Sequence, residues 1–326
     1  MRLPRTGHEL LTCHYPFYID SYEGCNHKCI YCYADNLKKK IRIKVKPKYI
    51  EKILKSEKEA VKRKIAVRLG ARADCFQKIE KEMKITKSII EILNLYAHPY
   101  IIVTKSPLVA EYTDIIEEKL AVIQFTITTL KEEVSRKLEP NAPLPSERLK
   151  AMKNLHENGY RVIARLSPII PKINLKEASN IMEKIEAKHI IVEFLRAKEW
   201  LLKCLNLKDY IKKGYYYRYD LNKKMKVYEK LSNIAHDFGL KFSICSDGDP
   251  VPYYLNDTLN CCGIDFKGVE RVASMIYKEA KNKEKVTLKD MEKYWHPMPN
   301  KFIKAWLKGE FERYVYGLKW HKNFIL

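Results

Sequence analysis

Tyr22-Glu23-Gly24-Cys25-Asn26-His27-Lys28-Cys29-Ile30-Tyr31-Cys32-Tyr33-Ala34-Asp35 sets three cysteines within eight residues of a 326-residue chain. With three and then two residues between them, one short loop can wrap three corners of a cubane. Iron–sulfur clusters that only carry electrons are held by four cysteines, so a fourth iron here is left open to a small molecule. A zinc site is the competing reading because His27 lies inside the loop, but zinc usually takes two separated Cys-x2-Cys arms or cysteine with histidine. The spacing therefore favours a 4Fe-4S cluster on Cys25, Cys29 and Cys32.

Outward from this loop, short β-rich runs alternate with amphipathic charged stretches, the rhythm of a parallel α/β fold. A strand near Phe17 to Tyr22 leads into the loop; further runs are Ile65 to Leu69, Tyr100 to Thr104, Ala121 to Thr128, Arg161 to Leu166 and His189 to Phe194. Between them, Ile85 to Tyr96, Leu108 to Lys119, Ser146 to Asn158 and Leu175 to Ala187 carry apolar residues at helical spacing. About six β/α units are expected, forming a partial (β/α)6 barrel over residues 14–200. Residues 201–326 read as a C-terminal α+β extension with a helix over Lys226 to Phe238 and a strand over Leu240 to Cys245.

The formal charge is +22, from 62 Lys and Arg against 40 Asp and Glu, a field that attracts polyanions. Lys212 to Tyr219 and the tail Arg313 to Lys322 interleave cations with rings, a combination that neutralises phosphates and stacks unpaired bases. Lys38 to Lys48 is a third basic stretch, which reads equally as a solvated edge strand. No apolar run reaches membrane-spanning length and no apolar signal core follows Met1 to Arg5, so no membrane association and a cytoplasmic location are expected. Nine cysteines in such a chain point to metals and catalysis rather than to disulfides.

The chain also resembles a known family, the spore photoproduct lyase-like branch of the radical S-adenosylmethionine (SAM) superfamily. The likeness rests on Glu23 to Ala34, Leu69-Gly-Ala-Arg-Ala-Asp74 with Gln77-Lys-Ile-Glu80, Thr104-Lys-Ser106, Leu138-Glu-Pro-Asn-Ala-Pro143 with Arg148-Leu149, and Ser167-Pro-Ile-Ile-Pro171, close to half of the chain. The resemblance implies that SAM chelates the open iron and is reductively cleaved to a 5'-deoxyadenosyl radical, with an electron from an external donor such as ferredoxin or flavodoxin. It implies that Lys105 and Thr126 help hold the SAM carboxylate and amine. Asp74, Arg165 and Ser167 fall with them at the carboxyl ends of barrel strands, where β/α barrels collect their ligands.

Tyr31 and Tyr33 match tyrosines that the lyases use near SAM and in hydrogen-atom relay; adenine stacking and plain packing are the alternatives. The lyases place a hydrogen-donating cysteine a few residues ahead of the position matching Asp74. Here Leu69 to Ala73 hold none, and Cys75, just after Asp74, is the nearest candidate.

Cys245, Cys261 and Cys262 form a second group that could bind another Fe-S cluster or zinc, completed by a distant residue such as Cys204 or His296, or could be reduced thiols in a small core. Neighbouring cysteines do not easily reach one metal together, and Cys13 and Cys204 read as buried structural residues. The expected activity is hydrogen abstraction from a nucleic-acid substrate, in repair or modification. Radical modification of a peptide is the rival within enzymes, and a non-catalytic, zinc-stabilised nucleic-acid-binding protein is the rival outside them.

Overall fold

The computed structural model describes residues 17–56, 61–62, 64–245, 255–257 and 261–264. The basic tail, Cys13 and His296 lie outside them. In chain order the strands are β1 (Tyr18–Ile19), β2 (Tyr22–Glu23), β3 (Arg42–Ile43), β4 (Val67–Leu69), β5 (Tyr100–Thr104), β6 (Ala121–Thr126), β7 (Val162–Ile169), β8 (His189–Phe194), β9 (Arg196–Ala197), β10 (Tyr210–Lys213), β11 (Tyr216–Tyr219) and β12 (Lys241–Ile244). The helices are α1 (Pro47–Ser56), α2 (Glu80–Met83), α3 (Ile85–Leu95), α4 (Glu132–Leu138), α5 (Pro145–Glu157), α6 (Ala178–Lys184), α7 (Glu199–Cys204) and α8 (Leu221–Asp237).

Seven strands form one sheet in the order β1-β4-β5-β6-β7-β8-β12, every neighbour pair parallel. Such strands are covered on both faces and read as nearly unbroken apolar runs; all six residues of β6 and all six of β8 are buried. The strand expected over 240–245 is β12, which pairs with β8 and carries the sheet past residue 200. Its helix, α8, starts earlier than the apolar spacing suggested because the Asp220 side chain caps it, accepting from the Lys223 amide at 3.0 Å.

The segment expected as a helix over Leu108 to Lys119 is a short 3-10 turn, Pro107–Tyr112, followed by turns. Its apolar spacing reports burial, since Leu108, Val109, Tyr112 and Ile116 all enter the core.

Side chains alternate across each strand, which aims Thr126, Arg165, Ser167 and Glu193 at one cavity at the carboxyl ends of β6, β7 and β8. Beneath them the barrel floor is filled by residues 261–264. Gln124 Nε2 donates to the Cys262 carbonyl at 2.9 Å. A Cβ on Gly263, whose φ is +76°, would meet Ile163 Cδ1 at 1.9 Å. No helix among the described residues is long and apolar enough to cross a membrane.

Candidate iron–sulfur and SAM site

The cluster loop leaves β2 at Gly24 and is clamped from two sides. On one side, buried Gln77 accepts from the Asn26 amide at 2.9 Å and donates to the Gly24 carbonyl at 3.1 Å. Next to it Asp74 gathers four donors: His27 Nε2 at 3.0 Å, the Phe76 amide at 2.9 Å, and Thr104 Oγ1 and the Lys105 amide, each at 2.8 Å. Burial works against its charge, yet these partners bring the Asp74 carboxyl down to about 2. Asp74 thus ties the loop to the ends of β4 and β5.

On the other side the Ile30 amide donates to the Leu138 carbonyl at 2.9 Å, and the Asn141 amide to the His27 carbonyl at 3.2 Å. Tyr31 donates its hydroxyl to Glu139, which also accepts from Thr128 Oγ1 at 2.7 Å and pairs with fully buried Arg148. Here too burial opposes the charge, but Arg148 and Lys105 draw the Glu139 carboxyl down to about 2. The Lys105 ammonium lies 5.6 Å from the Tyr31 ring centre.

Cys25, Cys29 and Cys32 share one open cavity of about 1140 Å³, its mouth included, with Tyr31, Tyr33, Asp74, Lys105, Thr126, Arg165 and Ser167. The donor set fits an iron–sulfur cluster. Burial pushes the Cys25 thiol up to about 11 and the Cys29 thiol above that, so both stay protonated until a metal takes them as thiolates. His27 lines the same cavity, and its buried Nδ1 has no partner among the described residues.

Cys75 is elsewhere. Its side chain is fully buried in the apolar core, where burial raises its thiol well above the ordinary range, and it does not line the cavity. Cys204, read as buried, is exposed at the end of α7, a helix whose one buried residue is Leu201.

The far wall pairs its charges among themselves. Glu193 accepts from Arg165 at 3.1 Å, Ser167 Oγ at 3.0 Å and Arg196 at 3.0 Å, while Arg165 also donates to Gln124 at 3.0 Å. Cys245 lines this wall, and Cys261 and Cys262 lie buried below, their sulfurs 4.0 Å apart. Two thiolates on one tetrahedral zinc would stand about 3.8 Å apart at Zn–S bonds near 2.3 Å, so adjacency does not keep this pair from facing a common atom.

Sequence reading missed Gln77, Glu139 and Glu193. The first two lie inside the quoted motifs; Glu193 was visible as a lone acid in the apolar run of β8.

This architecture matches known proteins. The chain is 30% identical over 164 residues to an uncharacterized protein of Methanocaldococcus jannaschii, MJ0683, and 25% identical over 179 residues to the uncharacterized ORF301 protein of Acidianus two-tailed virus. These stretches cover 48% and 50% of the chain but only 61% and 58% of those relatives. In fold it is similar to a spore photoproduct lyase mutant solved with bound AdoMet and dinucleoside spore photoproduct, at a TM-score of 0.60 and 17% identity over 74% of this chain and 80% of that one. The Radical SAM superfamily model matches residues 19–185, half of the sequence, from the strand before the cysteine loop through β7 and α6. A loop of three cysteines at the open end of a parallel barrel is therefore no zinc-stabilised binding module: the chain belongs to the radical SAM superfamily, enzymes that work with a 4Fe-4S cluster and SAM.

Proposed function

We propose that this enzyme abstracts hydrogen from a nucleic-acid substrate, to repair or modify it, with Cys25, Cys29 and Cys32 holding the cluster and Lys105 and Thr126 holding SAM. When bound, the cluster and SAM together supply a 5'-deoxyadenosyl radical. The protein's own part is placement: Gln77, Asp74 and Glu139 fix the loop, and the barrel aligns whatever enters the cavity with the reacting carbon. Lys105 is suited to a carboxylate because it keeps its charge when buried. Burial alone would lower its pKa, but Cys29, once it is a thiolate, and the Glu139 carboxylate hold it above the ordinary value.

The observation that carries the nucleic-acid reading is the hairpin β10–β11. It presents Lys212 and Tyr215, the latter 72% exposed, with Lys213, Tyr216 and Arg218 half-buried beside them, while Tyr217 and Tyr219 anchor the hairpin by packing against the core. Tyr216 donates its hydroxyl to the Tyr33 carbonyl at 3.0 Å, and the Arg196 guanidinium lies 4.5 Å from the centre of the Tyr33 ring. Cations and rings are thereby fastened to the cluster loop beside the cavity, where an unstacked base would enter.

The test is binding of single-stranded and duplex oligonucleotides at rising salt, together with deoxyadenosine formation by the reconstituted enzyme. Affinity that falls steeply with salt, and drops on Tyr215→Ala with Lys212→Ala, supports the reading. Deoxyadenosine formation stimulated by peptides but not by oligonucleotides would replace it with peptide modification. Metal analysis of the same preparation decides whether Cys245, Cys261 and Cys262 hold a second cluster, at about 8 iron atoms per chain rather than about 4, or zinc beside the iron.

A further inference from the structure

Reductive cleavage of SAM needs one electron from outside the chain, and a surface of the protein must receive the molecule that brings it. Residues 38 to 48 supply a surface that the proposed substrate path leaves unused. Lys38, Lys40, Arg42, Lys44, Lys46 and Lys48 occupy six successive alternate positions, all exposed, with no acid among residues 38 to 48. The row is joined directly to the cluster loop: Tyr22 pairs with Ile43 and Glu23 with Arg42, and Gly24 lies so close that a Cβ there would be 2.6 Å from the Lys40 carbonyl oxygen. Two of the six are answered by nearby acids, Arg42 by Glu23 at 2.6 Å and Lys44 by Asp20 at 3.0 Å. Among the described residues, no ion pair is formed by Lys38, Lys40, Lys46 or Lys48.

We infer that this row is the docking surface for a small acidic one-electron carrier, a reduced flavin or iron–sulfur protein, which passes its electron to the cluster across the β2–β3 ribbon. The inference rests on the radical SAM reading and adds to it the route by which the electron arrives. Charge alone would also suit nucleic acid, but two features favour the protein partner. None of the six cations lines the cavity. No aromatic residue falls among residues 34 to 48, and the rings nearest the row, buried Tyr18 and half-buried Tyr49, lie under its own Lys44 and Lys48, whereas Tyr215 stands exposed on the hairpin; a row of cations with no open stacking platform matches a carboxylate-rich protein face better than unpaired bases. Paired surface charges set encounter rate and orientation above all, which is what a carrier that must dock, deliver one electron and leave requires.

In the test, the cluster of the reconstituted full-length protein is reduced either by dithionite or by an acidic flavodoxin in its hydroquinone form, and its bleaching is followed by stopped-flow absorbance. This readout needs no SAM cleavage, so it stands even if the substrate reading fails. The triple variant Lys38→Glu, Lys40→Glu, Lys46→Glu is expected to cut the second-order rate with flavodoxin by about tenfold or more and to leave the rate with dithionite unchanged. For wild type, raising the salt should slow flavodoxin in the same way. The milder Lys38→Gln, Lys40→Gln, Lys46→Gln protein should fall between the two. An unchanged flavodoxin rate in the triple variant, a flavodoxin rate in wild type that does not respond to salt, or oligonucleotide affinity lost while electron delivery is kept would each overturn the proposal, the last by assigning the row to nucleic acid.

Discussion

The two walls of the cavity handle buried charge in opposite ways. On the cluster wall Asp74 and Glu139 each spend one partner on the loop, His27 and Tyr31, and anchor it to the rest of the barrel through the others, Thr104 and Lys105 for Asp74 and Thr128 and Arg148 for Glu139. On the far wall Glu193 is satisfied by Arg165, Ser167 and Arg196, none of which belongs to the loop. The first arrangement builds a socket, and the second builds a surface. The far wall should therefore tolerate change without unseating the cluster, whereas any loss on the near wall should be felt as lost iron and lost stability.

The most severe break is Cys29→Ala, which should abolish iron binding and deoxyadenosine formation, checked by iron analysis and chromatography after anaerobic reconstitution. Next, Arg148→Met leaves the Glu139 carboxylate without its buried cation and should cost about 3–5 kcal/mol, read as a lower denaturant midpoint together with reduced iron per chain. Gln77→Ala strips partners from the Asn26 amide and the Gly24 carbonyl; a loss of about 2 kcal/mol is expected, with Gln77→Glu recovering part of it by keeping the acceptor.

Lowering the pH probes a different kind of burial. His98 and His189 are held at about 4 by desolvation, against 6.5 in an open chain, so protons favour the unfolded state. Stability that is full well above pH 6.5 should decline towards pH 4 by about 3 kcal/mol per histidine, visible in denaturant midpoints measured across that window. The carboxyls of Asp74 and Glu139, lowered to about 2, hold their contribution until more acid conditions.

The smallest structural effect belongs to Arg165→Gln on the far wall. Arg196 and Ser167 remain on Glu193, so iron content should stay at the wild-type level while SAM or substrate affinity falls. Equal iron loss in Arg165→Gln and Arg148→Met would erase the distinction between the walls.

Much of this was legible in the sequence because parallel strands buried on both faces leave long apolar runs. His189 to Phe194 is a strand over its whole expected length, and Tyr100 to Thr104 likewise. What escaped were pairings that no period encodes. Nothing in the spacing of residues 69 to 77 tells that Asp74 turns towards His27 while Cys75, one residue on, turns into the core. Nor could local pattern show that residues 261–264 return to the barrel, because their partners Gln124, Ile163 and His189 lie on three separate strands.

That returning segment has a consequence for how the enzyme must turn over. Among the described residues, 261–264 pack against Gln124, Ile163 and His189 at the amino-terminal side of the lumen, and the cavity holding the cysteine loop lies at the opposite rim. On the proposed function, spent nucleoside and product would leave by the same opening, and their order of departure would be set by the fold. Residues 261–264 would also screen a reactive group held at the rim from solvent on the amino-terminal side.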